Sequence, residues 1–518
     1  GARALGGWRY DGGRPDVGGN VKWGLSTNLT LNGTVNPDFS QVESDAGQVT
    51  PNPRQALFFA EKRPFFLDGL EYFGTPSQVI YTRRIVDPTA AVKVTGKVSG
   101  TSFGLLSAVE AADSVMGRDR AVFNVVRVLK DIGSQSRLGV AYTDRIEGGD
   151  YNRVGQIDGR VAFGGINTLS FHGAVSRTRE AGTTTTAPLW SLSFARTGRR
   201  FGLTASFQGV SDRFEARSGF IAQEDMAQLN LGPTITFYGK QGAFVERFNG
   251  SLSAMYSWAY PRFVAGEAPR DRQHWFNGTV AIRGGYTLST TVFIETFGFD
   301  ERLYRDYRLE VPTATGLDTV AFGVKPDLPV GAVMVRAKTP EVAGFAFDGF
   351  IAYGLDPNYL EWSKSEIVFA RFGVTYRPTE KLRFESGVPI LLHYRRRDGS
   401  RVDGAVIPRL KMEYQVSRSI FLRFVGEYRS VYRDDLRDED RTGYPILIRD
   451  PDGVFKRASR SENNGLSVDW LFSFQPTPGT VFFAGYGSSL TEQDAFRFRG
   501  LARTRDGFFT KLSYLFRI

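Results

Sequence analysis

The sequence predicts an all-β fold, a transmembrane antiparallel β-barrel of about 24 strands within a range of about 22 to 26. Three observations predict it. Segments that alternate apolar and polar residues recur along almost the whole chain, the links between them sort into short and long by parity, and the chain ends inside an aromatic amphipathic segment. Composition agrees: the 518 residues include 58 Gly, 42 Phe and 21 Tyr, a mix suited to pleated, half-buried surfaces. No run of about 18 apolar residues occurs, which excludes transmembrane helices but not a barrel, whose strands need only every second residue apolar. With no cysteine there is no disulfide framework, thiol nucleophile or Cys-ligated metal. The net charge of +10 comes from 65 basic residues interleaved with 55 acidic ones, a mixed-charge surface rather than a nucleic-acid patch, so no nucleic-acid partner is expected.

The Gly-rich stretch at 1–20 reads as an arm or linker, and 21–518 as a single barrel domain. With Gly in first place, the chain is expected to be processed or trimmed. Alternation then sets in. In FNGSLSAMYSWAY, Phe248, Leu252, Ala254, Tyr256, Trp258 and Tyr260 share one face, opposite Asn249, Ser251, Ser253 and Ser257. In LRFESGVPILLHY, an apolar face ending in Tyr394 opposes Arg383, Glu385 and His393. In IFLRFVGEYRSVY, a face ending in Tyr432 opposes Arg423, Glu427 and Arg429. A charged strand face wants water, and an apolar face ending in Tyr or Trp wants a membrane interface. Tyr256, Trp258, Tyr260, Tyr394 and Tyr432 are therefore candidates for an aromatic girdle.

Counted in order, links after even strands are mostly tight, such as SG at 99–100, GGIN and TGRR, and links after odd strands are mostly long. Short turns on one rim and long loops on the other build outer-membrane barrels, with the short side periplasmic and, on this count, both termini there. The last segment, GFFTKLSYLFRI, carries Tyr514, Phe516 and Ile518 on its apolar face and resembles the terminal signature by which such proteins are recognised for insertion. Closure asks it to pair with the first strand, near VKWGLS at 21–26, because lipid tolerates no open edge. The expected partners are outer-membrane lipid and lipopolysaccharide, the barrel-assembly machinery during insertion, and a periplasmic or surface protein.

One link breaks the parity. Between LTLNGTVNPD at 29–38 and VIYTRRI at 79–85, read as the second and third strands, residues 39–78 lie on the rim where short turns are expected. A barrel this wide leaks unless filled, so the segment is a candidate plug folded inward, against the alternative of a solvated periplasmic insertion. Phe58, Phe59, Phe65 and Phe66 supply an apolar centre and Pro64 a bend. Glu61, Lys62, Arg63 and Asp68 are expected to pair with inward charges of the wall, drawn from Arg127, Arg371, Arg383, Glu385, Arg423, Glu427 and Arg429.

The run NLTLNGTVNPDFSQVESDAGQVTPNPRQALFFAEKRPFFLDGLEYF, followed by YTRRI and KVTGK, resembles an uncharacterised family of bacterial outer-membrane proteins. The resemblance is specific over about residues 20 to 135 and pattern-level beyond. It implies an outer-membrane location and a C-terminal region of unknown function, usually preceded by a module similar to family-nine carbohydrate-binding modules, which this chain lacks. It supplies no catalytic residue.

Other constellations are weak. Asp38, Glu43 and Asp45 could hold Ca2+, but match no EF-hand loop and equally well cap the backbone. His172 and His393 have inward parity and could partner a Ser, while His274 stands apart, and Glu385 with Glu427 could be imagined as a glycosidase pair; no flanking motif marks any of these. No P-loop, GxGxxG followed by a helix, HExxH or CxxC pairing occurs, so no cofactor and no enzyme is expected. YRRRDGSR at 394–401 and RDDLRDEDR at 433–441 fall in long loops, where they face solvent or bridge lipopolysaccharide phosphates. The functional expectation is a pore or uptake channel partly occluded by its own segment. The alternative is a permanently plugged scaffold that anchors a binding module or partner proteins.

Overall fold

A computed structural model describes residues 2–4, 7–9, 17–37, 48, 54–112, 119–477 and 480–514. Nearly all strands join one 26-stranded antiparallel sheet. Two of its members are the three-residue strands of a hairpin, Ala2–Ala4 and Gly7–Arg9. The other 24 run in sequence order from Gly19–Ser26 to Ala502–Ser513. Arg401–Val406 and Arg409–Gln415 are two halves of one crossing, since both pair with Leu382–Arg395 on one side and Ile420–Arg433 on the other. The break falls at Pro408, which has no N–H to give to the ladder. Crossings therefore number one fewer than strand segments.

The sheet is that of a transmembrane β-barrel. Val92, Leu105, Val126, Ile157, Phe276 and Ile351 lie exposed on one face, while Lys93, Arg127, Thr143, Asn152 and Asp158 are buried on the other. A sheet that shows water its apolar face and hides its charges is built for lipid outside and a polar interior. No helix among the described residues is long and apolar enough to cross a membrane.

Links follow parity, with one shift from the expected count. The strand expected over 79–85 is instead a 3-10 turn, Thr82–Arg84, and the strand before it ends at Val35. The turns at 27–28, 99–100, 133–135, 198–200 and 283–285 form the short rim, where Ser99 and Gly100 take φ of 49° and 72°, the left-handed pair that matches hairpin twist. The links 211–225, 259–270, 298–327 and 434–460 rise from the opposite rim, and so does 36–87. That segment therefore does not break the rule; it is the longest member of the long-loop rim. Gly19 starts at the long-loop rim and Ser513 ends at the short one, so the two ends of the described sheet lie on opposite rims rather than together. Among the described residues, Gly19–Ser26 pairs only with Leu29–Val35, and the last strand meets the N-terminal hairpin at Ala2 and Arg505 rather than VKWGLS.

The two longest ordinary loops are not loose. Tyr307–Thr313 and Gly316–Ala321 join Ile446–Arg449 and Phe455–Arg457 in a four-stranded sheet. Leu309, Val402, Leu436, Ile446 and Ala458 form its core. Beneath it Arg395 donates to Glu361 at 2.6 Å and to Asp434 at 2.7 Å. Within the same runs Arg437 pairs with Asp398 and Glu439, and Arg441 with Asp438, so these cations tie the cap together instead of facing outward.

All five girdle candidates stand near the long-loop rim. Tyr256 and Trp258 close one strand, Tyr394 and Tyr432 close two others, and Tyr260 opens the short helix Tyr260–Val264 rather than ending a strand. Phe263 of that helix sits 5.9 Å from Trp258 and 5.5 Å from Phe207, ring to ring. Phe163, Phe201, Phe237, Tyr286 and Phe345 form a second exposed belt at the short-turn rim. Tyr514 is exposed, whereas Phe516, Ile518 and the Ca2+ candidates Asp38, Glu43 and Asp45 lie outside the described residues.

Candidate functional site

Residues 54–87 run along the inner face of the wall. Pro64, with its φ already helical, opens the short helix Pro64–Leu67. Gly69, at φ 70°, turns the chain into the 3-10 helix Leu70–Phe73, and a side chain at Gly69 would also meet Thr95 Oγ1 at 2.8 Å. Phe66, Phe73 and Ile85 are buried among Ala91, Leu106, Ala108, Ala121, Phe123 and Val125, small and apolar exceptions on a polar face. Lys93 reaches in from the wall to the carbonyls of Phe65 and Asp68. Asp68 accepts from Asn32 at 2.9 Å and pairs with Lys22 at 3.0 Å. Glu71 and Tyr72 share a cleft with Thr27, Asn28, Ser99 and Gly100, so the segment descends from the long-loop rim to the short turns.

The four Phe do not form one centre. Phe65 and Phe66 pack low, ring centroids 5.1 Å apart. Phe58 packs against Tyr81 at 5.3 Å and Phe220 at 5.2 Å, while Phe59 lies under the Arg83 guanidinium. Between the pairs, the charged knot ties to the segment itself. Arg63 donates to Glu61 at 2.7 and 2.8 Å and to the carbonyls of Thr82 and Ile85, and Thr82 Oγ1 donates to Glu61 at 2.6 Å. Burial pushes the Glu61 carboxyl up, but the hydrogen bonds from Arg63 and Thr82 outweigh it and hold it below its ordinary value. The backbone N–H of Lys62 also donates to Glu61.

Of the four charged residues expected to tie the knot to the wall, Asp68 pairs with Lys22, a wall residue outside the expected set, and Glu61 pairs with Arg63 of the knot itself. Arg127 forks onto Asp158 at 2.5 and 2.9 Å, both buried. Arg371, Arg383, Glu385, Arg423, Glu427 and Arg429 sit on Ser363–Thr379, Leu382–Arg395 and Ile420–Arg433, a stretch of wall the segment does not pack on. There Arg383 pairs with Glu385 and Arg409 with Glu427, while Arg371 and Arg429 are exposed to the lumen. His172 Nε2 lies 2.6 Å from Ser77 Oγ, the spacing of a nucleophile and base. The carboxylate opposite it, Asp158, is taken by Arg127 and Gln156, leaving nothing seen to orient the imidazole. His393 Nδ1 lies 2.5 Å from Asp403, and His274 meets Tyr256 on the lipid-facing side.

Sequence reasoning missed a cavity of about 370 Å3 in the part of the lumen beside the segment. Its apolar lining is Met255, Trp275, Phe293, Met334 and Phe369, inward-facing side chains of five different strands. Its polar lining includes Gln228, Ser257, Asp271, Gln273, Glu295 and Asp356, with Trp275 Nε1 donating to Glu295 at 2.7 Å. Arg54, the first described residue of the segment, caps it by donating to Asp271 at 3.2 Å and to the Tyr359 hydroxyl at 3.2 Å. Burial above all pushes the Tyr359 phenol up to about 12, so it stays protonated beside Arg54. In QHWFNG the Trp has Phe276 beside it, so the sequence marks neither ring as the inward one.

A family model described as a domain of unknown function (DUF5916) matches residues 13–103, a span that holds Lys22, Arg54, the whole descending segment and Lys93. No curated protein matches the chain. Among solved structures, OmpT, an outer membrane protein of Vibrio cholerae folded in vitro, is 9% identical with a TM-score of 0.31, covering 71% of this chain and 96% of that one. The ferric yersiniabactin uptake receptor FyuA from Yersinia pestis is 9% identical with a TM-score of 0.28, covering 81% of this chain and 62% of that one. The fold rests on the chain's own ladders and on its outward apolar face.

Proposed function

We propose that the protein is an outer-membrane pore or uptake channel whose lumen is partly occluded by residues 54–87. The course of that segment carries the reading: it leaves the wall at the long-loop rim, reaches the short turns at Glu71, and returns, burying Phe66, Phe73 and Val79 against inward-facing side chains. On the rule that short turns face the periplasm, the plug hangs from the outer face by both ends. With both ends of the segment on that face and only its tip at the short turns, gating by solute or voltage is favoured over withdrawal of the whole segment into the periplasm. Outer-membrane lipid and lipopolysaccharide are the proposed surroundings of the two aromatic belts, and the barrel-assembly machinery the proposed reader of the last strand.

Planar-bilayer recording tests this. Deleting residues 45–75 should raise conductance, and the intact protein should carry current that depends on ligand or voltage. A silent intact protein whose deletion variant conducts points to the scaffold instead, a reading supported by how firmly Lys93, Asp68 and Arg63 anchor the segment. Heat-modifiable migration on gels checks the barrel itself, and a chain that runs identically with and without boiling counts against the whole reading.

A further inference from the structure

The cavity under Arg54 is lined unlike the rest of the lumen. Trp275 and Phe293 meet edge to face with ring centroids 5.6 Å apart, and Phe369 and Met334 extend the apolar lining. Among them stand acceptor oxygens with few donors. Glu295 is 9% exposed and receives one hydrogen bond, from Trp275. Asp356 lines the same space, and neither carboxylate has an ion-pair partner among the described residues. Gln273 is 7% exposed, and its Oε1 is buried with no hydrogen-bond partner. A buried acceptor costs about 1–3 kcal/mol unless a donor reaches it, and no group among the described residues donates to Gln273 Oε1.

The nearby cations do not fill it. Arg54 and Arg270 both face Asp271, at 3.2 and 3.6 Å, and His393, a neighbour of Asp356, is bonded to Asp403. No group of three His, Cys, Asp or Glu side chains suited to a metal converges among the described residues. Two carboxylates outside any ion pair among the described residues, a buried amide oxygen without a protein donor, and an indole face beside them select one chemistry. We propose that this cavity binds an organic cation, an ammonium carried on an apolar body, with Glu295, Asp356 and Gln273 receiving its N–H groups and Trp275 and Phe293 packing on its charge and its carbon skeleton. Trp is the strongest cation–π partner, and its N–H holds the Glu295 carboxylate at the edge of the same ring. The volume lies within the range of small-molecule pockets.

The inference rests on the lumen reading of the site but not on conduction, so it is tested by equilibrium binding to the full chain in detergent micelles. Phenethylammonium is the probe, with neutral 2-phenylethanol and anionic phenylacetate as its isosteres. Phenethylammonium should bind at least about tenfold more tightly than either isostere, and Glu295→Gln and Asp356→Asn should each weaken it about tenfold, with heat-modifiable migration confirming that the variants fold. Phenylacetate binding as tightly as the amine overturns the inference, as does wild-type affinity in the double variant or no binding of any probe. The isostere comparison needs no variant and decides the matter should the variants fail to fold. A protein that binds the amine but never conducts leaves the inference standing and removes the channel.

Discussion

Truncating Phe66 to Ala separates the segment from the barrel that holds it. Phe66 is 1% exposed, packed on Ala91, Leu106 and Phe123 of the wall and 4.4 Å beneath the Arg63 guanidinium. A fully buried Phe replaced by Ala forfeits about 3–5 kcal/mol, and here the lost contacts are with the wall and within the segment rather than between strands of the sheet. At about 1.4 kcal/mol per factor of ten, the undocked population should rise about 100-fold or more, while the ladders, and with them heat-modifiable migration, stay intact. Two assays read the same equilibrium: trypsin cleavage after Lys62 or Arg83 in detergent, and open-channel current in planar bilayers. Both should rise together. Faster cleavage without more current would refute occlusion, because the segment would then leave its bed without opening anything. Unchanged cleavage would refute the anchoring role of Phe66.

Gly104→Val acts on the same equilibrium from the wall, since a β-carbon there would meet the Phe73 ring at 3.0 Å and the Tyr72 carbonyl at 3.1 Å; docking should weaken by about 1–3 kcal/mol, with the same rise in cleavage. Glu361→Ala leaves the Arg395 guanidinium buried without its main partner and should cost the loop cap about 3–5 kcal/mol, read as new protease sensitivity across 434–460. Glu361→Gln combined with Arg395→Met should recover part of it. Glu61 gives a pH dependence: its docked carboxyl lies below the ordinary 4.5, so its contribution is fully present above that value and is lost as pH falls through the lower docked one. Current through the intact protein should therefore rise as the bath is acidified below the ordinary carboxyl value of 4.5, and Glu61→Gln should flatten that rise.

The fold was legible wherever one face of a strand had to meet lipid, because a period of two leaves no freedom over which residues point outward. The misreading at 79–85 has a physical cause. Val79, Ile80, Tyr81 and Ile85 give the run the β-branched and aromatic composition of a strand, yet Val79 and Ile85 are buried in two different clusters against the wall. Tertiary contact, not a ladder, holds that run, and counting it as a strand put residues 39–78 and the start of the sheet on the short-turn rim. The cavity was illegible for another reason. Trp275 has Phe276 beside it and Phe293 follows Val292, so both faces are apolar there and parity alone cannot say which ring turns inward. That five strands bring such residues to one level is a fact of register, seen only once the ladders are fixed.

Register also places Arg54 where segment and cavity meet. Its guanidinium reaches Asp271 and Tyr359 of the cap, while a few residues on, Ala56 and Phe58 join the segment to the 211–225 loop. A group shared in this way cannot respond to one side alone. If a cation in the cavity draws on the same acidic field that holds Arg54, it weakens the hold on the segment's leading end, and an undocked segment must in turn present a more acidic cavity and bind that cation better. Linkage makes the two effects equal in free energy. Occlusion and recognition would then be one equilibrium, and a passive barrel would open most readily to the solute its cavity selects, with no energy drawn from outside the membrane.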